Sequence, residues 1–479
     1  MTRQFKSSMI RGLHWFRNDL RLHDNRAVGT LADHAEAWLP VFVLDSQLIT
    51  RAGRQSPRVL FMLDCLAKLE KEVASRGVEL LVTQGEPAKV LPKLMAATGA
   101  SVVSWTSAST PLARRRDAAV RRAIETCGGE ALEVLDHTVF GPGEIQTKTG
   151  GPYSVYTPYR NEWWRAWHRQ PRVSARRVQL PASAIAVDQA LAKTRLKRIP
   201  LETTMRPGLP AGGERTAKRR LRTFLSGPAK RYHVDRDIPG IDGTSRLSPY
   251  LRFGAISVRR CVSDGLAMIE EQPATREGIS KWLDELVWRE FYHAVLVNSP
   301  HVMSGCYRPE YDQVHWTGTS KEFEAWCKGE TGYPFVDAGM RQLATTGWMH
   351  NRVRMIVASF LTKDLRIDWR AGERFFMESL VDGDPASNNG GWQWSASTGT
   401  DAQPYFRIFN PVTQGKKFDP DGLYIRKWIP ELRGLKSPVI HAPWEHGADP
   451  KGYPQPIVDH AKQRVQSIEE FKRVRGTAV

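Results

Sequence analysis

The chain of 479 residues is poor in cysteine, and its cysteines lie far apart in the sequence. It has five, none of which form a Cys-x-x-Cys motif, and the nearest two are Cys306 and Cys327. Structural zinc sites and disulfide scaffolds need closely spaced or paired cysteines, so both classes are excluded. Sparse cysteines in an odd number favour a reducing compartment, and we expect a cytoplasmic protein.

The sequence also lacks the signatures of membrane or secretory segments, of a common catalytic metal motif and of a nicotinamide-dinucleotide site. No charge-free apolar run reaches the roughly 18 residues of a membrane-spanning helix, and the amino terminus lacks the apolar core of a secretory signal. None of the 13 histidines belongs to a His-Glu-x-x-His motif, so we expect no catalytic metal. No Gly-x-Gly-x-x-Gly follows the first predicted strand, which removes the main support for a nicotinamide-dinucleotide site.

Positive charge is present in excess and is concentrated in one stretch. The chain has 69 Lys and Arg against 51 Asp and Glu, a formal net charge of +18. Residues 165–231 hold 17 Lys or Arg and three acids, a net +14, with basic runs at 175–177, 193–198 and 214–222. The stretch is either a solvated connector or a phosphate-facing surface, and the overall balance favours a polyanionic partner.

Two sequence patterns divide the chain. Residues 1–140 alternate short apolar runs with amphipathic helices, which predicts a five-stranded parallel sheet with crossover helices, Rossmann-like but without the glycine motif. The predicted strands are 13–16, 38–44, 79–82, 101–105 and 131–135, and the predicted helices are 58–76, 87–97 and 112–126. Residues 141–215 show no sustained periodicity and predict a long basic connector with short helices. Residues 216–479 predict an all-α domain, with helices at 217–225, 258–272, 279–298, 321–329, 335–346, 351–361 and 372–380.

Two segments of the helical half contain polar, charged and aromatic residues in combinations that core packing alone does not explain. The loop 243–248 is dense in hydroxyls and backbone amides, which suits a phosphate or diphosphate as well as an ordinary helix cap. The segment 282–290 is either an amphipathic helix or one wall of a ligand site. Helical spacing gathers its aromatic and charged side chains, namely Trp282, Glu285, Trp288 and Arg289.

A third such segment is 346–411. Asn351 and Met355 are four residues apart and share one predicted helical face. Residues 382–391 are predicted to form a polar turn packed against the Trp-Gln-Trp that follows. The chain has 16 tryptophans, a residue that fills cores but also stacks on bases and flavins and relays single electrons.

Six segments resemble, in the same order, motifs of the photolyase/cryptochrome family, and most closely its bacterial DNA photolyases for cyclobutane pyrimidine dimers. The match is dense over residues 232–430 and looser in the first 140. The segments are WFRNDLRLHDN at 15–25, GTSRLSPYLRFGAIS at 243–257, WLDELVWREFY at 282–292, GYPFVDAGMRQL at 332–343, TGWMHNRVRM at 346–355 and ASNNGGWQWSASTGTDAQPYFRIFNP at 386–411.

The resemblance implies an α/β antenna-type domain at 1–140, a connector at 141–215 and a helical FAD-binding catalytic domain at 216–479. It implies light-driven DNA repair, in which excited reduced FAD passes an electron to a dimer flipped out of the duplex, the cyclobutane bonds split and the electron returns. The implied FAD-binding residues are Tyr232, Thr244, Ser245, Arg246, Leu247, Ser248, Trp282, Arg289, Arg354, Asp382, Asp384 and Asn388.

The resemblance also assigns roles outside this set. Arg354 is expected to pair with Asp382, and Asn388 to contact flavin N5, where an amide disfavours an anionic flavin less than a carboxylate does. The implied dimer pocket consists of Glu285, Trp288, Asn351, Met355 and Trp394. The implied electron relay is Trp316, Trp369 and Trp392, and the implied grip on DNA phosphates is Arg236, Arg352 and Arg407. Ultraviolet-damaged DNA is the expected partner of a monomeric protein.

Two alternatives share this fold. A cryptochrome is a light sensor rather than an enzyme, and plant-type members tend to carry Asp in place of Asn351 and Tyr in place of Trp394. A (6-4) photolyase uses a histidine pair where this chain has Asn351 and Met355. The antenna pigment is undecided between methenyltetrahydrofolate and a deazaflavin: residues 105–112 depart from the folate-binding pattern, and 41–45 and 53–59 look more like the deazaflavin type.

Overall fold

The computed structural model describes residues 9–45, 53, 55–172, 178–201 and 205–476. The predicted parallel sheet of five strands is confirmed, in the order β3-β2-β1-β4-β5. The strands are β1 Arg11–Phe16, β2 Ala37–Leu44, β3 Leu81–Gln84, β4 Val102–Thr106 and β5 Glu130–Val134. A two-residue strand, β6 (Ser183–Ala184), also pairs with β2 and was too short to predict.

Helices cover the sheet, and the local sequence explains where they begin. The strand β2 is buried along its whole length, as expected for a parallel sheet with crossover helices. Side chains of Asn25, Ser56 and Thr110 accept hydrogen bonds from backbone amides of the first turns, and so fix the starts of three helices. The helices are Arg26–His34, Pro57–Ala74, Pro87–Thr98 and Pro111–Thr126.

The second half of the chain is helical, as predicted. No helix in the described part of the chain combines the length and apolar character needed to cross a bilayer. Beyond short turns at Tyr232–Asp235 and Ser248–Arg252, the helices are Glu214–Leu225, Val258–Glu271, Arg276–Asn298, Ser320–Lys328, Pro334–Thr346, Asn351–Ser359, Trp369–Ser379, Pro385–Ala396, Pro411–Phe418, Leu423–Trp428 and His460–Gly476. The last three of these were not predicted.

The predicted connector contains more structure than its sequence suggested. Residues Tyr156–Arg169 form a helix of 14 residues, and Val187–Ala192 form a short one. The prediction of no sustained periodicity was wrong, because four buried aromatic side chains recur at helical spacing on the first of these helices: Tyr156, Tyr159, Trp163 and Trp167. This aromatic face packs against the helix Arg276–Asn298 and so contributes to the site described below.

The predicted polar turn at 382–391 is also corrected. A helix, Pro385–Ala396, begins within it, because the side chain of Asp384 accepts from the Ser387 amide at 3.0 Å and Pro385 suits the first helical turn. The two glycines suggested a turn, but Gly390 lies inside the helix where a Cβ atom would overlap the ring of Tyr292. Glycine is required there for close packing rather than for chain reversal.

The adjacent glycines allow a matched test of this packing. Gly390→Ala should lower the free energy of unfolding by about 1–3 kcal/mol, because the added methyl group collides with a packed aromatic ring. No neighbouring side chain or distant backbone atom lies within 4 Å of a Cβ at Gly391, so Gly391→Ala should be neutral or stabilising by up to about 1 kcal/mol. Urea unfolding of both variants measures the difference, and equal effects would contradict the packing.

Candidate active site

The candidate site lies among three helices of the second half. The helix Pro385–Ala396 packs against both Arg276–Asn298 and Asn351–Ser359, and the first of these carries the predicted pocket residues Glu285 and Trp288 on neighbouring turns. The fold therefore assembles segments that are more than 100 residues apart in the sequence.

Trp288 is supported on one face by an aromatic ring that sequence reasoning missed. Its indole is half-buried and stacks on Tyr156 with ring centroids 3.6 Å apart and planes inclined by 10°. The Tyr156 hydroxyl donates to the backbone oxygen of Asp284 at 2.7 Å, which fixes the ring. The indole is thus held rigidly, with Tyr156 occupying one of its two faces. The helical spacing of aromatic residues from Tyr156 to Trp167 was the signal that could have found this contact.

Glu285 lies one turn before Trp288 and forms an ion pair with Arg236. Burial raises the pKa of the Glu285 carboxyl, and the Arg236 guanidinium acts in the opposite direction. Arg236, which is predicted to bind DNA phosphates, is therefore paired with Glu285, which is predicted to hydrogen-bond the dimer. This pairing orients Glu285 as part of a charged pair rather than as an isolated acid.

The other predicted pocket residues lie on the two neighbouring helices. Asn351 and Met355 share one face of their helix, with the Asn351 Nδ2 atom 4.0 Å from the Met355 sulfur. Asn351 is exposed, whereas Met355 and Trp394 are half-buried. All three therefore remain accessible from solvent.

The loop predicted to bind a diphosphate precedes the short helix Ser248–Arg252. Arg246 in this loop adopts a positive φ of 49°, pairs with Asp242 at 2.9 Å and lies over the Trp348 ring at 4.9 Å. Thr244 and Ser245 are half-buried, whereas Leu247 is buried and anchors the loop.

Behind this loop, Tyr232 and Trp282 both pack against Phe224, with ring centroids 5.8 and 5.2 Å from it. Both side chains are buried, Tyr232 at 8% exposure and Trp282 at 2%. Their observed contacts are aromatic packing behind the loop.

Two aspartates form the polar floor of the site. Arg354 pairs with Asp382 at 2.8 Å, the contact that the family resemblance implied. Burial alone would raise the pKa of the Asp384 carboxyl, but His293, Arg252 and Arg289 hold that pKa well below its usual range. Asp384 therefore carries a fixed negative charge at the start of the helix Pro385–Ala396.

A buried histidine beside Asp384 was not predicted. His293 lies one turn beyond Arg289, and neither of its ring nitrogens has a hydrogen-bond partner among the residues that the structure describes. Burial lowers the pKa of His293 to about 4, so the ring is neutral at physiological pH. Its ring packs edge-on against His137 at 5.1 Å, and Arg289 donates to the His137 carbonyl at 2.7 Å. Two unsatisfied nitrogens in a buried ring indicate a missing polar partner.

Asn388 is anchored at one end only. Its side-chain nitrogen donates to the Glu373 carbonyl at 3.0 Å, which leaves its side-chain oxygen available as an acceptor. The neighbouring Asn389 donates to the Val302 carbonyl at 2.8 Å and is buried. Of this pair, Asn388 is therefore the one with a free acceptor.

The three tryptophans of the predicted electron relay belong to one hydrophobic core. Trp392 and Trp369 are buried, at 2% and 0% exposure, whereas Trp316 is half-buried at the edge of the same core. Trp392 lies one helical turn from Asn388 and Asn389, and Trp316 is the most exposed of the three.

The three arginines predicted to bind DNA differ in their surroundings. Arg236 pairs with Glu285, and Arg352 pairs with Asp237 at 2.8 Å and lies over the Phe418 ring. Arg407 is exposed and has no ion pair with any residue that the structure describes. Its positive charge is therefore the one most available to a phosphate.

The donor set suits a flavin dinucleotide. The hydroxyls of Thr244 and Ser245 are suitable donors to a diphosphate. The neutral His293 ring has two nitrogens that can hydrogen-bond to a polar group of a ligand. Across the described residues, no cluster of three or more His, Cys, Asp or Glu side chains could hold a metal ion. An α/β domain joined to a helical domain with these donors defines a flavoprotein of the photolyase/cryptochrome fold.

Comparison with known proteins identifies the family. Residues 12–178 match the family model DNA photolyase, and residues 282–473 match the FAD binding domain of DNA photolyase. The deoxyribodipyrimidine photo-lyase of Halobacterium salinarum is 42% identical, over 97% of this chain and 99% of that protein. The chain belongs to the DNA photolyase family, and it is an FAD-binding enzyme of the deoxyribodipyrimidine photo-lyase type.

Solved structures show the same relationship. A bacterial class III photolyase from Agrobacterium tumefaciens has a TM-score of 0.89 at 36% identity, covering 99% of this chain and all of that one. An archaeal photolyase from Sulfolobus tokodaii, described with two FAD molecules, has a TM-score of 0.79 at 32% identity over 97% of this chain and 100% of that one. A Synechocystis cryptochrome has a TM-score of 0.81 at 27% identity over 96% of this chain and 99% of that one.

Proposed function

We propose that this protein repairs cyclobutane pyrimidine dimers in ultraviolet-damaged DNA, and that the dimer binds against Trp288. The observation that carries the proposal is the rigid Trp288–Tyr156 stack beside the Glu285–Arg236 pair. A flat apolar surface next to a polar group suits an extruded pyrimidine pair, which offers two ring faces and polar base edges.

We propose separate roles in the reaction for the cofactor and for the residues of the site. Bound reduced FAD supplies the light-excited electron. Asn388, held through its nitrogen on Glu373, presents an acceptor oxygen towards the flavin edge. Trp288 and Trp394 exclude water from the dimer and stack on it. Burial raises the pKa of Glu285, and in its protonated form Glu285 donates to a base edge at the point where negative charge develops. The neighbouring Arg236 guanidinium adds a positive charge there.

Asn351 and Met355 complete the wall of the proposed pocket opposite to Glu285. The amide offers one donor and one acceptor, and the flexible thioether adapts to the saturated ring of a dimer. A histidine pair at these places would support (6-4) chemistry, so the residues present favour cyclobutane dimers.

The proposed DNA footprint is electrostatic, and Arg407 is its most available cation. Arg407→Gln should reduce the slope of log affinity against log salt by about 0.7–0.9 on both damaged and undamaged DNA, because one phosphate contact is lost. Arg366→Gln is the matched control, since Arg366 is bonded to Gln466 at 3.1 Å. Binding titrations over a range of salt concentrations measure both slopes, and an unchanged slope for Arg407→Gln would remove it from the footprint.

A cellular test addresses the function as a whole. A repair-deficient strain that expresses the protein should recover from ultraviolet exposure under blue light and not in darkness. A cryptochrome-type photoreceptor is the second candidate, favoured by the structural similarity to the Synechocystis protein. That function predicts equal survival in light and darkness.

We also propose an antenna pigment in residues 1–140, with the catalytic domain at 216–479. Residues 41–45 and 105–112 contain the carboxyl ends of β2 and β4, on either side of β1, where parallel sheets bind ligands. The pigment is methenyltetrahydrofolate or a deazaflavin, and a second FAD is a third possibility in view of the Sulfolobus protein. Part of 53–59 lies outside the described residues. The absorption spectrum of the native protein separates the pigments.

The compartment and assembly state are the last elements of the proposal. All five cysteines are unpaired, which supports a reducing compartment such as the cytoplasm. The exposed large hydrophobic residues are spread along the chain, which supports a monomer. Size-exclusion chromatography with light scattering tests the second point.

A further inference from the structure

The basic stretch 165–231 is the sequence feature that the proposed repair reaction leaves unexplained. Its run at 175–177 lies outside the described residues. Many of its other cations form ion pairs with carboxylates, either on the same helix or on another part of the chain. These pairs are Arg165 and Arg169 with Glu162, Arg172 with Glu144, Arg198 with Glu70, Arg215 with Glu72, Lys218 with Glu214, and Arg231 with Asp235. Much of the stretch is thus tied to the protein itself.

Arg219 and Arg220 differ from these residues. Neither has a carboxylate within 4.0 Å among the residues that the structure describes. Arg220 lies near the Tyr250 hydroxyl, which itself donates to the Ala211 carbonyl at 2.7 Å. Arg220 is therefore held in place without losing its charge.

Both arginines line a cavity of about 250 Å³ between the helix Glu214–Leu225 and the loop 243–248. A water molecule takes up about 30 Å³ of liquid, so the cavity has room for a diphosphate and some solvent. Its polar walls combine two guanidinium groups with four hydroxyls, and the residues are Thr216, Arg219, Arg220, Thr223, Thr244 and Ser245. Hydroxyls together with unpaired guanidinium groups are the donors that phosphate oxygens prefer.

The charges around the cavity point to the same ligand. Asp242 also lines it, but its carboxylate is paired with Arg246 at 2.9 Å. Asp242 neutralises the charge of Arg246 in return. The loop itself therefore supplies hydroxyls and amides but no unpaired cation. A diphosphate bound at Thr244 and Ser245 needs positive charge, and Arg219 and Arg220 are the uncommitted cations on the facing wall.

We infer that Arg219 and Arg220 bind the diphosphate of FAD from the side opposite to the loop 243–248. The basic run at 214–222 thus serves the cofactor rather than the DNA backbone. This inference rests on the proposed diphosphate role of Thr244 and Ser245, and it adds two residues from another element to that site.

The test compares two double variants of the purified apoprotein. Arg219→Gln/Arg220→Gln should weaken FAD binding by about 10- to 100-fold, because two charge-assisted contacts are lost. Riboflavin, which has no phosphates, should bind the variant and the parent protein equally. Arg222→Gln/Lys230→Gln removes the same charge from exposed positions outside the cavity and should bind FAD as the parent protein does. Flavin fluorescence titration measures all five affinities.

Inorganic pyrophosphate and undamaged duplex DNA separate the possible sources of phosphate. Pyrophosphate should raise the melting temperature of the parent apoprotein and not that of Arg219→Gln/Arg220→Gln. The salt slope of DNA binding should be the same for both. A fall in that slope with unchanged FAD affinity would assign the two arginines to DNA and overturn the inference.

Two further outcomes are decisive. Equal losses of FAD and riboflavin affinity would mean that the substitutions damage the fold around the site, and the inference would fail. Arg219→Lys/Arg220→Lys should restore most of the FAD affinity, since the charge is kept. The proposed repair function is tested by a different measurement, namely whether the FAD-loaded parent protein splits dimers. Failure of the inference about Arg219 and Arg220 would therefore not contradict the repair function.

Discussion

Trp288→Ala should weaken binding to dimer-containing DNA by about 10- to 100-fold and leave binding to undamaged duplex almost unchanged. Stacking on an aromatic side chain contributes about 1–3 kcal/mol per base, which corresponds to that range. Tyr156 already occupies one face of the Trp288 indole at 3.6 Å, so the dimer has a single remaining face to stack on. Undamaged duplex keeps its bases stacked and does not reach this surface.

Two controls separate stacking from folding. Trp288→Phe keeps a flat ring against Tyr156 and should retain dimer affinity within a few-fold. FAD content, read from the flavin absorbance, should stay equal to that of the parent protein in both variants. If Trp288→Ala keeps its FAD and loses affinity equally for damaged and undamaged DNA, the dimer pocket is wrong and a photoreceptor becomes the better interpretation.

Trp316→Phe should abolish the light-driven reduction of oxidised FAD, because phenylalanine is far harder to oxidise than tryptophan. Repair should remain intact when the flavin has been reduced chemically beforehand, since the relay supplies electrons and does not contact the dimer. Trp316 is the half-buried member of the series and the one that an external reductant meets first. Absorbance of the flavin under continuous blue light, with a thiol reductant present, follows the reaction.

Trp444→Phe is the matched control for this relay. Trp444 packs at the edge of the same hydrophobic core but stands in contact with Tyr333, at 5.2 Å between ring centroids, rather than in the proposed series. Its substitution should leave photoreduction unchanged. Normal photoreduction in Trp316→Phe would show that another aromatic path carries the electron.

The sequence was sufficient for features that depend on local pattern. Apolar alternation located all five main strands, and the helix predicted at 258–272 is observed at Val258–Glu271. The ion pair of Arg354 with Asp382 followed from the resemblance and is present at 2.8 Å. These features depend on short-range periodicity or on motifs that keep their order along the chain.

Features that join distant segments could not be predicted in the same way. Tyr156 contacts Trp288, which lies 132 positions further along the chain, and no local pattern records that contact. The resemblance predicts that Arg236 and Arg352 bind DNA phosphates. The sequence alone does not reveal that Glu285 and Asp237 lie beside them and form ion pairs with them. The Asn-Asn-Gly-Gly run was interpreted as a turn for a similar reason, since the ring that requires Gly390 belongs to a different helix.

The most direct measurement is repair of a defined oligonucleotide that contains one cyclobutane thymine dimer, using purified protein with chemically reduced FAD. Under blue light the dimer should revert to two thymines, seen as regained absorbance near the base maximum and as the undamaged strand on chromatography, and in darkness it should persist. Glu285→Ala should bind this substrate with similar affinity but repair fewer dimers per absorbed photon, because the developing negative charge loses a polar partner. Dimers that stay intact under light, with FAD reduced and the substrate bound, would contradict the account.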